Sequence, residues 1–152
     1  MGVKERRVRE KQDLRRTILD AARELFAKEG YEAFSMRRLA QKIEYSPTAI
    51  YGHFKDKAEL LENVCQESFL KLIERLGRIK AESKDPLDFA RKGMRAYIDF
   101  GLENPNHYRV TFMTSHSEVV PEQYQQSMGE AAFNYLKDSV QECMDAKLIK
   151  IS

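Results

Sequence analysis

The sequence predicts an all-α protein, and three observations support that prediction. Apolar residues recur at the three- and four-residue spacing of α-helices along nearly the whole chain, with no convincing alternating strand. Residues that cap helices stand where these patterns begin, the clearest pair being Ser46 and Pro47. The 152 residues are 42% hydrophobic and include 8 Phe and 7 Tyr, which is enough for a core and excludes intrinsic disorder.

The first two helices have recognisable ends. An apolar face that runs from Leu14 to Phe26 predicts a first helix stopping at Gly30, where glycine can adopt a left-handed conformation. Ser35 then caps a short second helix with the sequence MRRLAQKI. A turn of three or four residues separates this helix from the next one.

The third helix is short and has two distinct faces. Ser46 caps the segment PTAIYGHF, and Pro47 occupies the first position, where a missing N–H costs nothing. Ile50 and Phe54 are four residues apart and are expected to face the core. The residues predicted to point outward are Thr48, Ala49, Tyr51 and His53.

Longer helices follow in the remainder of the chain. Asp56 and Glu59 resemble a capping box and open a long fourth helix. Asp85 and Asn104, each followed by proline, begin a fifth helix and a short sixth one. A seventh, long helix is predicted from Pro121, and the segment TSHSEVV before it is predicted to be a loop.

Charge is unevenly divided along the chain. Residues 1–57 hold 14 Lys and Arg against 9 Asp and Glu, whereas residues 58–152 hold 12 against 15. A basic first third on a mildly acidic remainder predicts an anionic partner for the first segment only. Much of the positive charge lies in one run, which consists of Lys4, Arg6, Arg7, Arg9, Lys11, Arg15 and Arg16. Taken alone, such a run is more often a solvated helix face than a binding site. The prediction of an anionic partner therefore also requires a binding motif in the same part of the chain.

Several classes of protein are excluded. No apolar run is long enough for a membrane span and the N-terminus is charged, so the chain is expected to be unexported and cytoplasmic. Cys65 and Cys143 are expected to be reduced core residues. His53, His107 and His116 lack metal-ligand spacing, and no nucleophile or phosphate-loop motif exists, so neither an enzyme nor a metal or cofactor is expected. His107, near a helix start, is expected to cap that helix or to face solvent.

Two short helices joined by a short turn and followed by a long helix are the arrangement of a DNA-binding helix-turn-helix. The second short helix of such a motif enters the major groove, and the outward residues of the third helix suit contacts to bases and phosphates. An exposed Tyr51 favours this function, although it could instead merely cover the helix junction. A helical protein-interaction module is the alternative class, and it leaves the basic N-terminus and outward residues without a role.

Three motifs make the first part of the chain recognisable. They are IL-x-AA-x-x-LF-x-x-x-G in the first helix, S-x-x-x-LA in the second, and S-P-T-x-x-Y-x-HF-x-x-K across the third and fourth. With these motifs, residues 16–61 resemble the N-terminal DNA-binding domain of TetR-family transcriptional regulators. Further on, AYIDFGLENPNHYRVTFM resembles the helix-5 and helix-6 segment of the subgroup named for a Trp-His-Gly motif.

This resemblance implies a repressor that binds a palindromic double-stranded DNA operator as a homodimer. Residues 47–49 match positions that approach bases, Tyr51 matches a base or phosphate contact, and Lys57 matches a phosphate-binding lysine. For Arg38 and Lys55, simple solvated charge is an equal alternative. The positions implied to contact DNA are Ser35, Arg37, Arg38, Pro47, Thr48, Ala49, Tyr51, His53, Lys55 and Lys57.

Two residues depart from the family pattern. Glu44 replaces the usual glycine of the turn, and a left-handed non-glycine residue there costs on the order of 1 kcal/mol. Gly52 stands inside the predicted third helix, where it lowers helix stability by roughly 0.5–1 kcal/mol relative to alanine. It would also permit close approach of the backbone to a phosphate.

The resemblance divides the chain into a helix-turn-helix domain, residues 1–57, and a helical regulatory domain for ligand binding and dimerisation, residues 58–152. It implies a small-molecule effector that releases the operator, and composition favours an apolar or amphipathic one. The candidate residues that line the ligand site are Met94, Tyr97, Phe100, Tyr108, Phe112, Met113, His116 and Tyr124. Aromatic residues and methionines at helical spacing could instead be plain core.

The C-terminal end leaves two alternatives open. Regulators of this family usually continue for two more long helices that pair between subunits, whereas this sequence stops at KLIKIS. The regulatory domain is therefore expected to be C-terminally short and incomplete. Either the chain is a ligand-responsive dimeric repressor, or it is a truncated, regulator-like interaction module with impaired dimerisation and no ligand response.

Overall fold

The computed structural model describes residues 2–112 and 128–150, and these residues form α-helices without a strand. The predicted all-α fold class is confirmed. Within the described ranges, no helix is both long and apolar enough to cross a membrane. The helices of this part of the chain are α1 (Val3–Ala33), α2 (Met36–Ile43), α3 (Pro47–Tyr51), α4 (Lys57–Glu82), α5 (Pro86–Glu103), α6 (Pro105–Phe112) and α7 (Met128–Asp145).

The chain divides into two compact units, Met1–Val64 and Cys65–Ser152, with the boundary inside α4. The division after residue 57 that the sequence suggests stays a prediction. In the first unit, α1, α2, α3 and the start of α4 bury one apolar core. Its most buried large side chains are Ile18, Phe26, Leu39, Ile50, Phe54, Leu60 and Leu61.

Helix α1 is interrupted at Gly30, close to where the sequence predicts its end. Gly30 has φ 78° and ψ −179°, a positive-φ conformation that differs from the left-handed helical one expected from the sequence. Helical geometry resumes after Gly30 and continues to Ala33, and the following Phe34 is buried. The break therefore redirects the chain so that Phe34 enters the core before α2 begins.

Helix α2 has the predicted cap and ends in a left-handed residue. The Ser35 hydroxyl accepts a hydrogen bond of 3.1 Å from the backbone N–H of Arg38. Glu44 has φ 58° and ψ 36°, which is the left-handed conformation expected where it replaces the usual glycine of the turn. The N–H of Tyr45 donates to the carbonyl of Ala40 over 3.1 Å, which closes a Schellman motif and offsets part of the strain at Glu44.

Helix α3 is shorter than the sequence predicts. Its cap is confirmed, since the Ser46 hydroxyl accepts from the N–H of Ala49 over 3.2 Å. The helix ends at Tyr51, so the predicted continuation through Phe54 is wrong. The N–H groups of His53 and Phe54 both donate to the carbonyl of Ile50, which tightens the last turn and lets Phe54 turn into the core.

The predicted capping box at the start of α4 is present in a shifted form. The Asp56 carboxylate accepts from the N–H of Glu59 over 2.8 Å, as in an ordinary N-cap. The Glu59 carboxylate accepts from the N–H of Lys55 over 2.6 Å, one residue earlier than in the usual box. Together, these two bonds fix the direction in which α4 leaves the turn after α3.

The second unit has a core of its own, formed by the second half of α4 with α5 and α7. The predicted start of α5 is confirmed, because the Asp85 carboxylate accepts from the N–H of Asp88 over 2.8 Å. The expectation that His107 faces solvent is wrong: α6 turns back after Asn104 and packs against α5, and His107 is only 1% exposed. The predicted loop TSHSEVV and the helix start at Pro121 lie outside the described residues. The buried cluster comprises Phe69, Leu72, Leu76, Ala96, Tyr97, Phe100 and Ala132.

Candidate nucleic-acid interface

Helix α3 has one buried face and one exposed face, as the sequence predicts. Ile50 is fully buried and Phe54 is 1% exposed, so the inner side of the helix is anchored in the core of the first unit. On the outer side, Thr48 is exposed and Tyr51 is 51% exposed. A short helix fixed on one side and open on the other is the geometry that a recognition helix needs.

The flanks of α3 extend this exposed face. Pro47 and Lys55 are exposed, whereas Ala49 and His53 are only half-buried rather than fully outward. Tyr45, in the turn before α3, is 49% exposed and was not among the residues selected from the sequence. Its polar tip and its place between the two short helices could have identified it, because exposed aromatic side chains are uncommon without a partner.

The predicted contacts on α2 have different surroundings. Ser35 uses its hydroxyl to cap α2, and Arg37 is exposed. The two terminal nitrogens of Arg38 meet both carboxylate oxygens of Glu29 at 2.7 and 2.6 Å, and the Glu29 side chain is only 14% exposed. This bidentate pair joins α2 to α1, so Arg38 has a structural partner that the sequence did not indicate.

Lys57 points into the first unit. Its ammonium donates to the backbone carbonyls of Tyr31 and Phe34 over 2.6 and 3.2 Å, and it lies 4.1 Å from the centroid of the Tyr31 ring. These carbonyls belong to the end of α1, where a positive charge is favourable. The predicted phosphate contact of Lys57 stays a prediction, and the side chain holds the joint between α1 and α4.

Two basic residues of α1 lie beside the end of α3. The Arg15 guanidinium is 4.5 Å from the centroid of the Phe54 ring and donates to the side chain of Asn63 over 3.2 Å. The pKa of His53 is lowered by partial burial and by the positive charges of Lys11 and Arg15. The exposed surface of α3 is therefore continuous with a positively charged part of α1.

The lowered pKa of His53 gives a test by pH. The unfolded chain takes up this proton near the ordinary value of 6.5 and the folded chain at lower pH, so stability falls as the pH drops through 6.5. The loss of stability is absent above pH 6.5 and is complete below the pKa that His53 has in the folded chain. We expect wild type to lose more stability than His53→Gln between about pH 8 and about pH 5. Urea midpoints of both proteins at each pH measure this, and parallel losses would contradict it.

The candidate ligand-lining residues in the second unit fall into three groups. Tyr97 and Phe100 belong to the buried cluster; Tyr108 packs against it, and the rings of Tyr97 and Tyr108 are 6.1 Å apart, edge to face. Burial and the neighbouring Tyr108 raise the pKa of the Tyr97 hydroxyl above its ordinary value. Met94 is 40% exposed and lies apart from this cluster. Three candidates, Met113, His116 and Tyr124, lie outside the described residues, and the structure does not describe the Phe112 side chain.

Comparison with known proteins identifies the first unit. Residues 18–64 match the family model described as bacterial regulatory proteins, tetR family. The chain is 28% identical over 110 residues to the HTH-type transcriptional regulator YobS of Bacillus subtilis, covering 70% of this chain and 56% of YobS. The chain spans about half the length of the curated relatives that it matches.

Solved structures extend the likeness to the second unit. The regulator PfmR from Thermus thermophilus, of the TetR family, has a TM-score of 0.69 and 26% identity, covering 89% of this chain and 74% of PfmR. FadR from Bacillus subtilis, solved in complex with stearoyl-CoA, shares the fold with a TM-score of 0.68 and 20% identity, covering 90% of this chain and 74% of FadR.

These matches bear on several of the expectations drawn from the sequence. They do not confirm the Trp-His-Gly subgroup, which stays a prediction. YobS and PfmR are described as transcriptional regulators, in agreement with the expectation that the chain is not an enzyme. The helix-turn-helix motifs, the shared fold and the family match agree that residues 18–64 form a helix-turn-helix domain of the tetR family of bacterial regulatory proteins.

Proposed function

We propose that the chain is a DNA-binding transcriptional regulator that places α3 in the major groove of duplex DNA. The observation that supports this most directly is the contrast within α3, where Ile50 is fully buried and Tyr51 is 51% exposed. The core holds the helix rigidly, so its outer residues are preorganised for a partner. In this proposal Thr48 and Ala49 meet base edges, while Tyr51 and His53 meet phosphates or adjacent bases.

The remaining candidates divide into contacts and supports. Pro47 sets the start of α3, and the exposed Arg37 and Lys55 supply positive charge to the phosphate backbone on either side. Ser35 supports this surface as the cap of α2. Arg38 and Lys57 act mainly by holding α2 and α4 against α1, because their charged groups already have partners within the first unit. In this proposal, residues 1–57 form the DNA-binding domain and residues 58–152 the regulatory one.

We infer that this regulator is a homodimeric repressor acting on a palindromic operator. The family match supports this reading, and so does an apolar stripe along α5. Met94, Ile98 and Leu102 are spaced four residues apart on this helix and are 40, 56 and 75% exposed. Burying such a stripe against a second copy would remove apolar surface from water, which favours association.

The proposed effector is an amphipathic small molecule bound by the second unit. Its core brings together the aromatic side chains of Tyr97, Phe100 and Tyr108, with the Tyr97 hydroxyl as a polar group among them. Apolar walls with a few polar groups are typical of ligand sites. The fold shared with FadR, which was solved with stearoyl-CoA, supports an acyl-chain ligand. Such a ligand would release DNA only by binding the DNA-free conformation more tightly.

Selection of bound sequences from a random pool of duplex DNA tests this function. A dimer should enrich inverted repeats, with half-site centres about 10 base pairs apart or a multiple of that. On the selected duplex, we expect Thr48→Ala and Tyr51→Ala each to weaken binding roughly five- to tenfold. The exposed Glu74→Ala on α4 serves as the control and should bind like wild type. No enrichment and no binding at low salt would overturn the proposal.

A further inference from the structure

The first three turns of α1 contribute nothing to the core. The helix begins at Val3, yet residues 2–13 are all exposed and the first buried residue is Ile18. An exposed helical segment of this length has little stability from its own backbone hydrogen bonds. It is therefore a solvent-facing extension of the first unit whose side chains are available to a partner.

Charge is segregated around this extension. Four basic residues at positions i, i+3, i+7 and i+11 share one face of the helix. We call them the basic stripe, and they are Lys4, Arg7, Lys11 and Arg15. The acidic residues Glu5, Glu10 and Asp13 lie on the other faces, where Arg6 pairs with Glu10 over 3.1 Å. Among the described residues, no ion pair involves Lys4, Arg7 or Lys11.

The basic stripe begins beside the candidate DNA-contacting surface. Arg15 packs over the Phe54 ring at 4.5 Å, and both Lys11 and Arg15 are close enough to His53 to act on its charge. From there the stripe runs away from α3 for about 17 Å, given 1.5 Å of rise per residue. That length corresponds to roughly five base pairs of duplex at 3.4 Å each.

We propose that the basic stripe is a second DNA-contacting element, which binds backbone phosphates beside the bases approached by α3. The inference rests on the proposed function, since it assumes that α3 meets duplex DNA. A row of cations with no acidic neighbour on its face matches a polyanion with regularly spaced charges. Such contacts position the protein and add affinity without reading sequence.

Salt-dependent binding of two triple variants tests the inference. Lys4→Gln/Arg7→Gln/Lys11→Gln, the stripe variant, removes three of the four charges of the stripe and keeps Arg15, which contacts Phe54 and Asn63. Arg6→Gln/Arg9→Gln/Arg16→Gln removes the same net charge from the other faces of α1. With a duplex that extends past the selected site, we expect the stripe variant to lower the slope of log K against log salt by about 2–3. The control variant should lower it by less than about 1.

Trimming the DNA that flanks the site provides the second measurement. The affinity of wild type should fall on the short duplex to that of the stripe variant, which should bind both duplexes alike. Equal slopes for the two variants, with DNA binding intact, would overturn the stripe inference and leave the proposed function standing. Loss of the stripe variant's binding to phosphatidylserine vesicles, with its DNA slope unchanged, would also overturn it and assign the stripe to a membrane surface. No DNA binding by wild type would defeat the proposed function itself.

Discussion

Gly30→Ala is expected to lower the free energy of unfolding by about 2 kcal/mol, since its backbone conformation is one that only glycine adopts readily. With φ 78° and ψ −179°, an added Cβ at Gly30 would be strained whatever space surrounds it. If the backbone around residue 30 moved to relieve this strain, Phe34, which is 2% exposed, would leave its place in the core. Urea unfolding followed by circular dichroism measures the loss.

Gly101→Ala is the matched control. Gly101 lies inside α5, and an added Cβ would meet the Tyr108 ring at an ordinary contact distance of 3.7 Å. Alanine should therefore raise stability by about 0.5–1 kcal/mol, because it favours the helix over the unfolded chain. If Gly30→Ala were as stable as wild type, α1 would be able to run through residue 30 as a regular helix, contrary to the structure.

Local chemistry made the helix starts predictable from the sequence. Ser35, Ser46, Asp56 and Asp85 each accept the hydrogen bond that their type and position predict. The buried face of α3 followed from the four-residue spacing of apolar residues, and the left-handed turn at Glu44 followed from comparison with the family motif. These features depend on residues within a few positions of one another, and so a linear sequence is sufficient to predict them.

Features that depend on residues distant in the sequence were not predictable in the same way. Arg38 and Lys57 stood in the sequence as candidate DNA contacts, and only the fold brings Glu29 and the carbonyl of Tyr31 against them. His107 similarly became a core residue because α6 folds back on α5. In each case, another helix supplies hydrogen-bond partners to a polar side chain near a helix end or buries that side chain. The spacing of residues along the sequence does not specify such contacts.

Lys57→Met is expected to lower the free energy of unfolding by about 2–3 kcal/mol. Methionine keeps most of the unbranched stem of the side chain but lacks the ammonium, and so it removes both charge-assisted hydrogen bonds to the carbonyls of Tyr31 and Phe34. It also removes the cation–π contact with the Tyr31 ring, 4.1 Å away. Thermal and urea unfolding of the full chain measure the loss.

Lys55→Met separates a structural effect from a DNA-binding one. Lys55 is exposed and takes part in the turn before α4 through its backbone N–H, so removing its charge should change stability by less than about 0.5 kcal/mol. If Lys55 meets phosphate, this variant binds the selected duplex more weakly with its stability unchanged. Lys57→Met, by contrast, should lose stability whether or not DNA is present. A Lys57→Met protein as stable as wild type but weaker in DNA binding would show that the ammonium leaves the α1 carbonyls to bind phosphate, as the resemblance alone implies.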